Sequence, residues 1–177
     1  PIYEFHKAIS TFARMKAPLI IAVNGVAAGA GFSFAAVGDL VLAAESATFT
    51  MAYTAAGLSP DGSSTYYLPR LIGLRKTQEL MLTNRRISAQ EAYEMGVVTK
   101  VVADSELMGE AEALAYQLRS GSLHAHSVVK KLLLTTFNNC LETQMELEGR
   151  EIANSARTKN GVEGISAFFE KRKPTFI

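Results

Sequence analysis

Asp61 lies between Pro60 and Gly62 and is the only acidic residue between Ser46 and Tyr67 of this 177-residue chain, with Phe49, Met51, Tyr53 and Leu58 as its apolar neighbours in sequence. If those apolar groups wall a cleft, a carboxylate among them takes up and returns protons more readily than one in water. The same residues also read as a turn aspartate whose side chain binds the amides of Ser63 or Ser64. A second stretch, Gly25 followed by Gly29, Ala30 and Gly31, comes after a short apolar run and opens an Ala- and Phe-rich segment. Bare N–H groups at a helix start stabilise an anion or a developing oxyanion. No Gly-Lys-Ser/Thr follows and the third glycine of the dinucleotide fingerprint is missing, which excludes both phosphate-loop motifs. The glycines read either as an anion or oxyanion cradle or as a device for packing a helix close to a strand.

These groups need elements to hold them. Tyr3, Phe5, Ala8, Ile9, Phe12 and Ala13 recur at helical spacing, so Ile2 to Met15 is expected as a helix, closed by Lys16, Ala17 and Pro18. Leu19 to Val23 is a short β-branched strand, Asn24 and Gly25 turn the chain, and Ala27 to Val37 is predicted as a tightly packed helix. Strands are expected over Asp39 to Ala43 and Ala47 to Met51, then a loop from Gly57 to Ser64 that feeds a helix over Thr65 to Ile72. Helices over Thr77 to Thr83 and Ser88 to Met95, the second capped by Ser88, and a strand over Val97 to Val102 complete the first part. Beyond Ala103 the pattern turns helical: Leu107 to Leu118, Ser127 to Phe137, Leu141 to Ala156 and Gly161 to Phe169. The shift marks a boundary between residues 1–103 and a helical region, 104–177.

Composition narrows the function classes. Eighteen Lys plus Arg against seventeen Asp plus Glu leave a net charge of +1, which gives no general attraction to nucleic acid or anionic lipid. The apolar run Pro18 to Val23 is far too short to span a bilayer. One cysteine, Cys140, and three histidines give neither an internal disulfide nor a metal-ligand spacing, so no metal is expected and the chain fits a reducing compartment. His124 and His126 fall in a segment expected to join helices, Cys140 reads as a buried small apolar residue, and Phe168, Phe169 and Phe176 read as packing anchors. Lys130, Lys131 and the Lys171-Arg172-Lys173 run read as solvated helix faces.

Several ordered motifs carry a resemblance. The run from Ala17 and Pro18 through Asn24, Gly25, Gly29, Ala30, Gly31 and Ser33 comes first, then Gly38-Asp39-Leu40, Glu45 to Phe49, and Gly57-Leu58-Ser59-Pro60-Asp61-Gly62. Leu82 to Arg85, Gly96-Val97-Val98 and the closing Glu163 to Phe176 follow in order. Together they resemble the enoyl-CoA hydratase/isomerase (crotonase) family over nearly the whole chain. The resemblance implies an α/β fold: a spiral core of ββα turns, lacking the N-terminal third of a full-length member, over residues 1–103, and a helical trimerisation region over 104–177. It also implies an acyl-CoA substrate, coenzyme A being part of the substrate and not a cofactor, a homotrimer or homohexamer, and a cytoplasmic enzyme, or a mitochondrial or peroxisomal one if the source is eukaryotic.

In the family two main-chain amides hold a thioester oxygen while a carboxylate moves a proton on the neighbouring carbon. One amide maps to Ala30, between Gly29 and Gly31; the other would come from a segment ahead of residue 1, so residues 1–177 alone are expected to have little activity. Hydratases of the family carry glutamates at the places of Ser33 and Tyr53, and neither is acidic here. The Leu58 to Gly62 segment resembles the phenylacetate-pathway type of isomerase, in which one aspartate removes a proton and returns it two carbons away. The expected activity is therefore an acyl-CoA double-bond isomerase, with Asp61 as proton shuttle, Ala30 as oxyanion donor and Gly29, Gly31, Ser33, Tyr53 and Pro60 lining the substrate. Alternatives within the fold are a hydratase, a thioester hydrolase, a dehalogenase-like enzyme or ring-opening lyase, or a non-catalytic binding protein.

Overall fold

A computed structural model describes residues 2–177. In chain order it contains α1 (Ile2–Arg14), β1 (Ile20–Val23), β2 (Val26–Ala28), α2 (Ala30–Ala35), β3 (Leu40–Ala44), β4 (Thr48–Thr50) and α3 (Ser64–Thr83). There follow β5 (Ile87–Ser88), α4 (Ala89–Met95), β6 (Lys100–Val102), α5 (Leu107–Arg119), α6 (Leu123–Thr135), α7 (Leu141–Ala156) and α8 (Lys159–Phe169). The chain divides into two compact units, one of Leu19–Ala113 with the N-terminal residues to Ala13, the other of Leu114–Ile177 with Arg14–Pro18.

The first unit is a mixed α/β spiral. β1, β3 and β6 form one parallel sheet with Ile20 opposite Leu40 and Ala43 opposite Val101. β2 and β4 pair in parallel in a second sheet, with β5 antiparallel at its edge. The pairs β1–β2 and β3–β4 thus each give one strand to each sheet before a helix carries the chain onward, whereas α4 separates β5 from β6. The run of apolar residues in β3, Val41 to Ala44 all buried, is the pattern of a strand covered on both faces. Phe32 and Phe49 are fully buried with ring centroids 5.3 Å apart, and join α2 to β4. Ala43, Ala47, Ala89 and Ala92 are also fully buried, and a larger side chain at any of them would overpack the core.

Several expectations need correction. Ala27 does not begin a helix: Val26 to Ala28 lie in β2, opposite Thr48 to Thr50, and α2 begins at Ala30. Ladder pairing overrides the helix propensity of the alanines. The strand expected over Val97 to Val102 is confined to its last three residues, and β5 was not anticipated. The two helices expected after the loop are present as one helical run broken at Gly73, whose φ of 79° and ψ of 157° are non-helical. Ser88 caps α4 as expected, its hydroxyl accepting from the Glu91 amide at 3.1 Å.

The second unit is helical. α6 begins four residues earlier than expected, at Leu123 with Ser122 as N-cap, so His124 and His126 lie in its first turns and not in a connecting segment. Cys140 is exposed, not buried, at the N-cap of α7; the Thr143 hydroxyl, 3.2 Å from its sulfur, lowers the thiol from its ordinary value. Phe168 and Phe169 are 79% and 78% exposed, so only Phe176, half-buried beside Gly164, packs as an anchor. Lys131 pairs with Glu151, and Lys130 donates to the Ala17 carbonyl at 3.0 Å. After α8 the chain folds back: Arg172 grips Glu163 through two nitrogens at 2.6 and 3.0 Å, the Thr175 amide joins the same carboxylate at 2.8 Å, and Asn160 brackets Ile177. Among the described residues no helix is long and apolar enough to cross a membrane.

Two outcomes are expected. Phe49→Ala removes a fully buried ring and should cost about 3–5 kcal/mol in urea denaturation. The bidentate Arg172 pair first, and then the Thr175 amide, hold the Glu163 carboxyl down to about 2. A carboxyl depressed on folding stabilises above its unfolded value and loses that contribution as pH falls toward its folded one. The tail should therefore detach from α8 between the ordinary glutamate value near 4.5 and about 2, a transition that proteolysis of residues 173–177 would register and that Glu163→Gln should remove.

Candidate active site

The chain leaves β4 through Met51 and Ala52, turns at Thr54–Ala56 and Gly57, and reaches α3 by way of Pro60, Asp61, Gly62 and Ser63. Ala52 and Ser63 hold φ of 57° and 67°, a region that costs a residue with a Cβ roughly 1–2 kcal/mol. These two strained residues bracket the segment that carries Tyr53 and Asp61, and packing must hold them there.

Asp61 is half-buried, with 32% of its side chain exposed. One carboxylate oxygen, Oδ1, accepts from the Tyr53 hydroxyl at 2.7 Å, and Oδ2 lies 3.6 Å from His6 Nε2 on α1. The turn into α3 is closed by its main-chain carbonyl, which accepts from the Ser64 amide at 3.3 Å and the Ser64 hydroxyl at 3.0 Å. The Asp61 carboxylate is left to meet Tyr53 and His6. Burial first, and then the bond to Asp61, push the Tyr53 phenol above its ordinary value, so it remains a donor at neutral pH.

Behind Tyr53 sits Ser33, fully buried on α2, with its Oγ 3.0 Å from the Tyr53 hydroxyl and 3.2 Å from the Gly29 carbonyl that accepts from it. Gly29 is the N-cap of α2, with φ of 53° and ψ of −116°, a conformation open to glycine. Its amide donates to the Thr50 carbonyl at 3.0 Å, continuing the β2–β4 pairing by one residue, and its carbonyl also accepts from the Ser33 amide at 3.0 Å. Ala30 and Gly31 follow, exposed, in the first helical turn, where main-chain amides have no partner within the helix.

Of the residues singled out in the sequence, Gly29, Ser33, Tyr53 and Asp61 are therefore joined by consecutive hydrogen bonds. Ala30 shares a peptide with Gly29, Gly31 follows it, and half-buried Pro60 adjoins Asp61. His6 was missed; it lies on the polar side of an amphipathic helix, and no spacing ties it to Asp61. Gly62 was read only as a loop residue, yet it has φ of 60°, and a Cβ there would overlap the Phe5 ring and come within 3.0 Å of the Ser33 Cβ. Among the described residues no group of three or more His, Cys, Asp or Glu side chains is placed to hold a metal ion. Gly62→Ala should destabilise by at least about 2 kcal/mol through strain and crowding, and adding Phe5→Ala should recover part of that loss in the same denaturation assay.

Residues 3–177 match the model of the family described as Enoyl-CoA hydratase/isomerase. The 1,2-epoxyphenylacetyl-CoA isomerase of Escherichia coli is 38% identical over 172 residues, which cover 97% of this chain and 66% of that protein. The 4-chlorobenzoyl coenzyme A dehalogenase-1 of an Arthrobacter species is 33% identical over 167 residues, covering 94% of this chain and 60% of the relative. The crystal structure of an enoyl-CoA hydratase from Polaromonas sp. JS666 superposes with a TM-score of 0.95 at 37% identity, over 99% of this chain and 68% of that one. The chain thus spans about two thirds of the length of these relatives. With one family signature running through both the sheets and the helical region, the chain belongs to the enoyl-CoA hydratase/isomerase, or crotonase, family.

Proposed function

We propose that this chain is the greater part of an acyl-CoA double-bond isomerase in which Asp61 is the proton shuttle. The observation that carries the reading is the setting of Asp61: one half-buried carboxylate, oriented by a 2.7 Å bond from Tyr53 and flanked by His6 at 3.6 Å. Ser33 and Tyr53 occupy the positions at which the family's hydratases bear glutamates, so the acid pair that activates water is replaced by hydroxyls. Asp61 accepts a proton from the carbon next to the thioester carbonyl, the C–H electron pair moves into a dienolate, and the proton returns two carbons further along. Base and acid are the same group in turn. The Ala30 amide holds the oxygen on which negative charge develops, flanked by Gly29 and Gly31. The named activity of the 38%-identical relative is also an isomerisation of an acyl-CoA.

A second reading draws on His6, 3.6 Å from Asp61 Oδ2. There Asp61 attacks the acyl-group carbon that bears a leaving group, and an ester forms as that group departs with its electron pair. Water deprotonated by His6 then attacks the ester carboxyl carbon, releasing a hydroxylated acyl-CoA and regenerating Asp61. The dehalogenase among the relatives favours keeping this reading.

For assembly, the helical region supports a homotrimer or a hexamer of two trimers: Phe137, Leu141 and Ile152 are 67%, 69% and 71% exposed, apolar surface of the kind that subunit contacts cover.

Incubation of the full-length protein with a 3-enoyl-CoA should yield the conjugated 2-enoyl isomer, read by its ultraviolet absorbance. Asp61→Asn should lower that rate roughly 10²–10⁴-fold, and undiminished turnover in the variant would remove the assignment. Single turnover of a haloacyl-CoA in ¹⁸O-water distinguishes the second reading, which requires the label in Asp61 and unlabelled oxygen in the product.

A further inference from the structure

We propose that Ser33 is a positioning residue that carries the protonation state of Asp61 to the Gly29 carbonyl, and through that peptide to the Ala30 amide. The inference rests on the isomerase reading and adds a connection between its two halves, the proton shuttle and the oxyanion donor.

Ser33 is 0% exposed, and its hydroxyl has two partners, the Tyr53 hydroxyl at 3.0 Å and the Gly29 carbonyl at 3.2 Å. Each hydroxyl of the chain carries a single hydrogen. An ionised Asp61 can only accept, so Tyr53 donates to Oδ1 and offers Ser33 only lone pairs, and the single hydrogen of Ser33 is shared between the Tyr53 oxygen at 3.0 Å and the Gly29 carbonyl at 3.2 Å. Once Oδ1 holds a proton the direction reverses: Asp61 donates to Tyr53, Tyr53 to Ser33, and Ser33 to the Gly29 carbonyl. No hydrogen changes oxygen within Tyr53 or Ser33. The bond broken is the substrate C–H, and the bond made is the O–H of Asp61.

The Gly29 carbonyl already accepts from the Ser33 amide at 3.0 Å. A second donor polarises the Gly29–Ala30 peptide further and strengthens the Ala30 N–H as a donor, because linked hydrogen bonds reinforce one another. That gain arrives when Asp61 has taken its proton, which is when charge resides on the thioester oxygen. The titratable groups facing Asp61 are His6, 3.6 Å from Oδ2 on α1, and Tyr53, whose phenol burial keeps protonated.

The test is a pH titration of the ¹⁵N,¹³C-labelled protein by nuclear magnetic resonance, following the Asp61 carboxyl carbon and the Ala30 amide nitrogen together. The Ala30 nitrogen is expected to move downfield with the midpoint of Asp61, and Asp61→Asn should abolish the movement, which separates it from His6. Ser33→Ala should leave the Asp61 carboxyl titrating while the Ala30 nitrogen stops following. Tyr53→Phe cuts the relay at a less buried link, should give the same result, and serves if Ser33→Ala does not fold. An Ala30 nitrogen that ignores Asp61 in the parent protein, or still follows it in either variant, overturns the proposal. Because no turnover is involved, this outcome is separate from loss or retention of isomerase activity in Asp61→Asn.

Discussion

The parallel pairing of β2 with β4, prolonged by the Gly29 amide on the Thr50 carbonyl, is the constraint on which the site depends. It sets the first turn of α2 level with the end of β4, so that Ser33, one turn into the helix, meets Tyr53, three residues beyond the strand. Tyr53 could not be placed by its own loop. The segment after β4 has left-handed residues at Ala52, Gly57, Gly62 and Ser63, a path with little local preference of its own. The rigid ladder on one side and the buried Ser64 on the other hold it.

Much of this organisation is legible in the residues, and the reasons differ by element. The buried strand β3 reads clearly because a continuous apolar run leaves few alternatives. Asp61 stands out because no other acid is near it in sequence, and the glycine run is visible for want of side chains. β2 is not legible: three residues, two of them alanine, look helical until a partner strand is present to pair with them. His6 is hidden for a similar reason, since only the packing of α1 over the loop makes a polar helix position a neighbour of the carboxylate. In the helical region the periodicity gives the helices, but not which apolar faces stay open, and Phe168 and Phe169 show how far amphipathic spacing alone misleads.

The arrangement also explains how one scaffold accommodates relatives with an isomerase, a dehalogenase and a hydratase among their names. The ladder and the glycine turn are main-chain features, indifferent to the side chains at positions 33, 53 and 61. The hydrogen-bonding and acid–base character of the candidate site resides in those side chains, so chemistry can change while the fold is kept.

The crowding at Gly62 has a consequence for the entropy of reaching the native state. The Phe5 ring occupies the space a Cβ would need, and its neighbour His6 faces the carboxylate, so the loop is roofed by the N-terminal helix α1. Contacts between such distant segments incur their loop-closure entropy before they return any stabilisation. The candidate site therefore closes over a stretch of chain as long as the one between β3 and β6, so its geometry carries an entropic cost of closure like that of the sheet pairing itself.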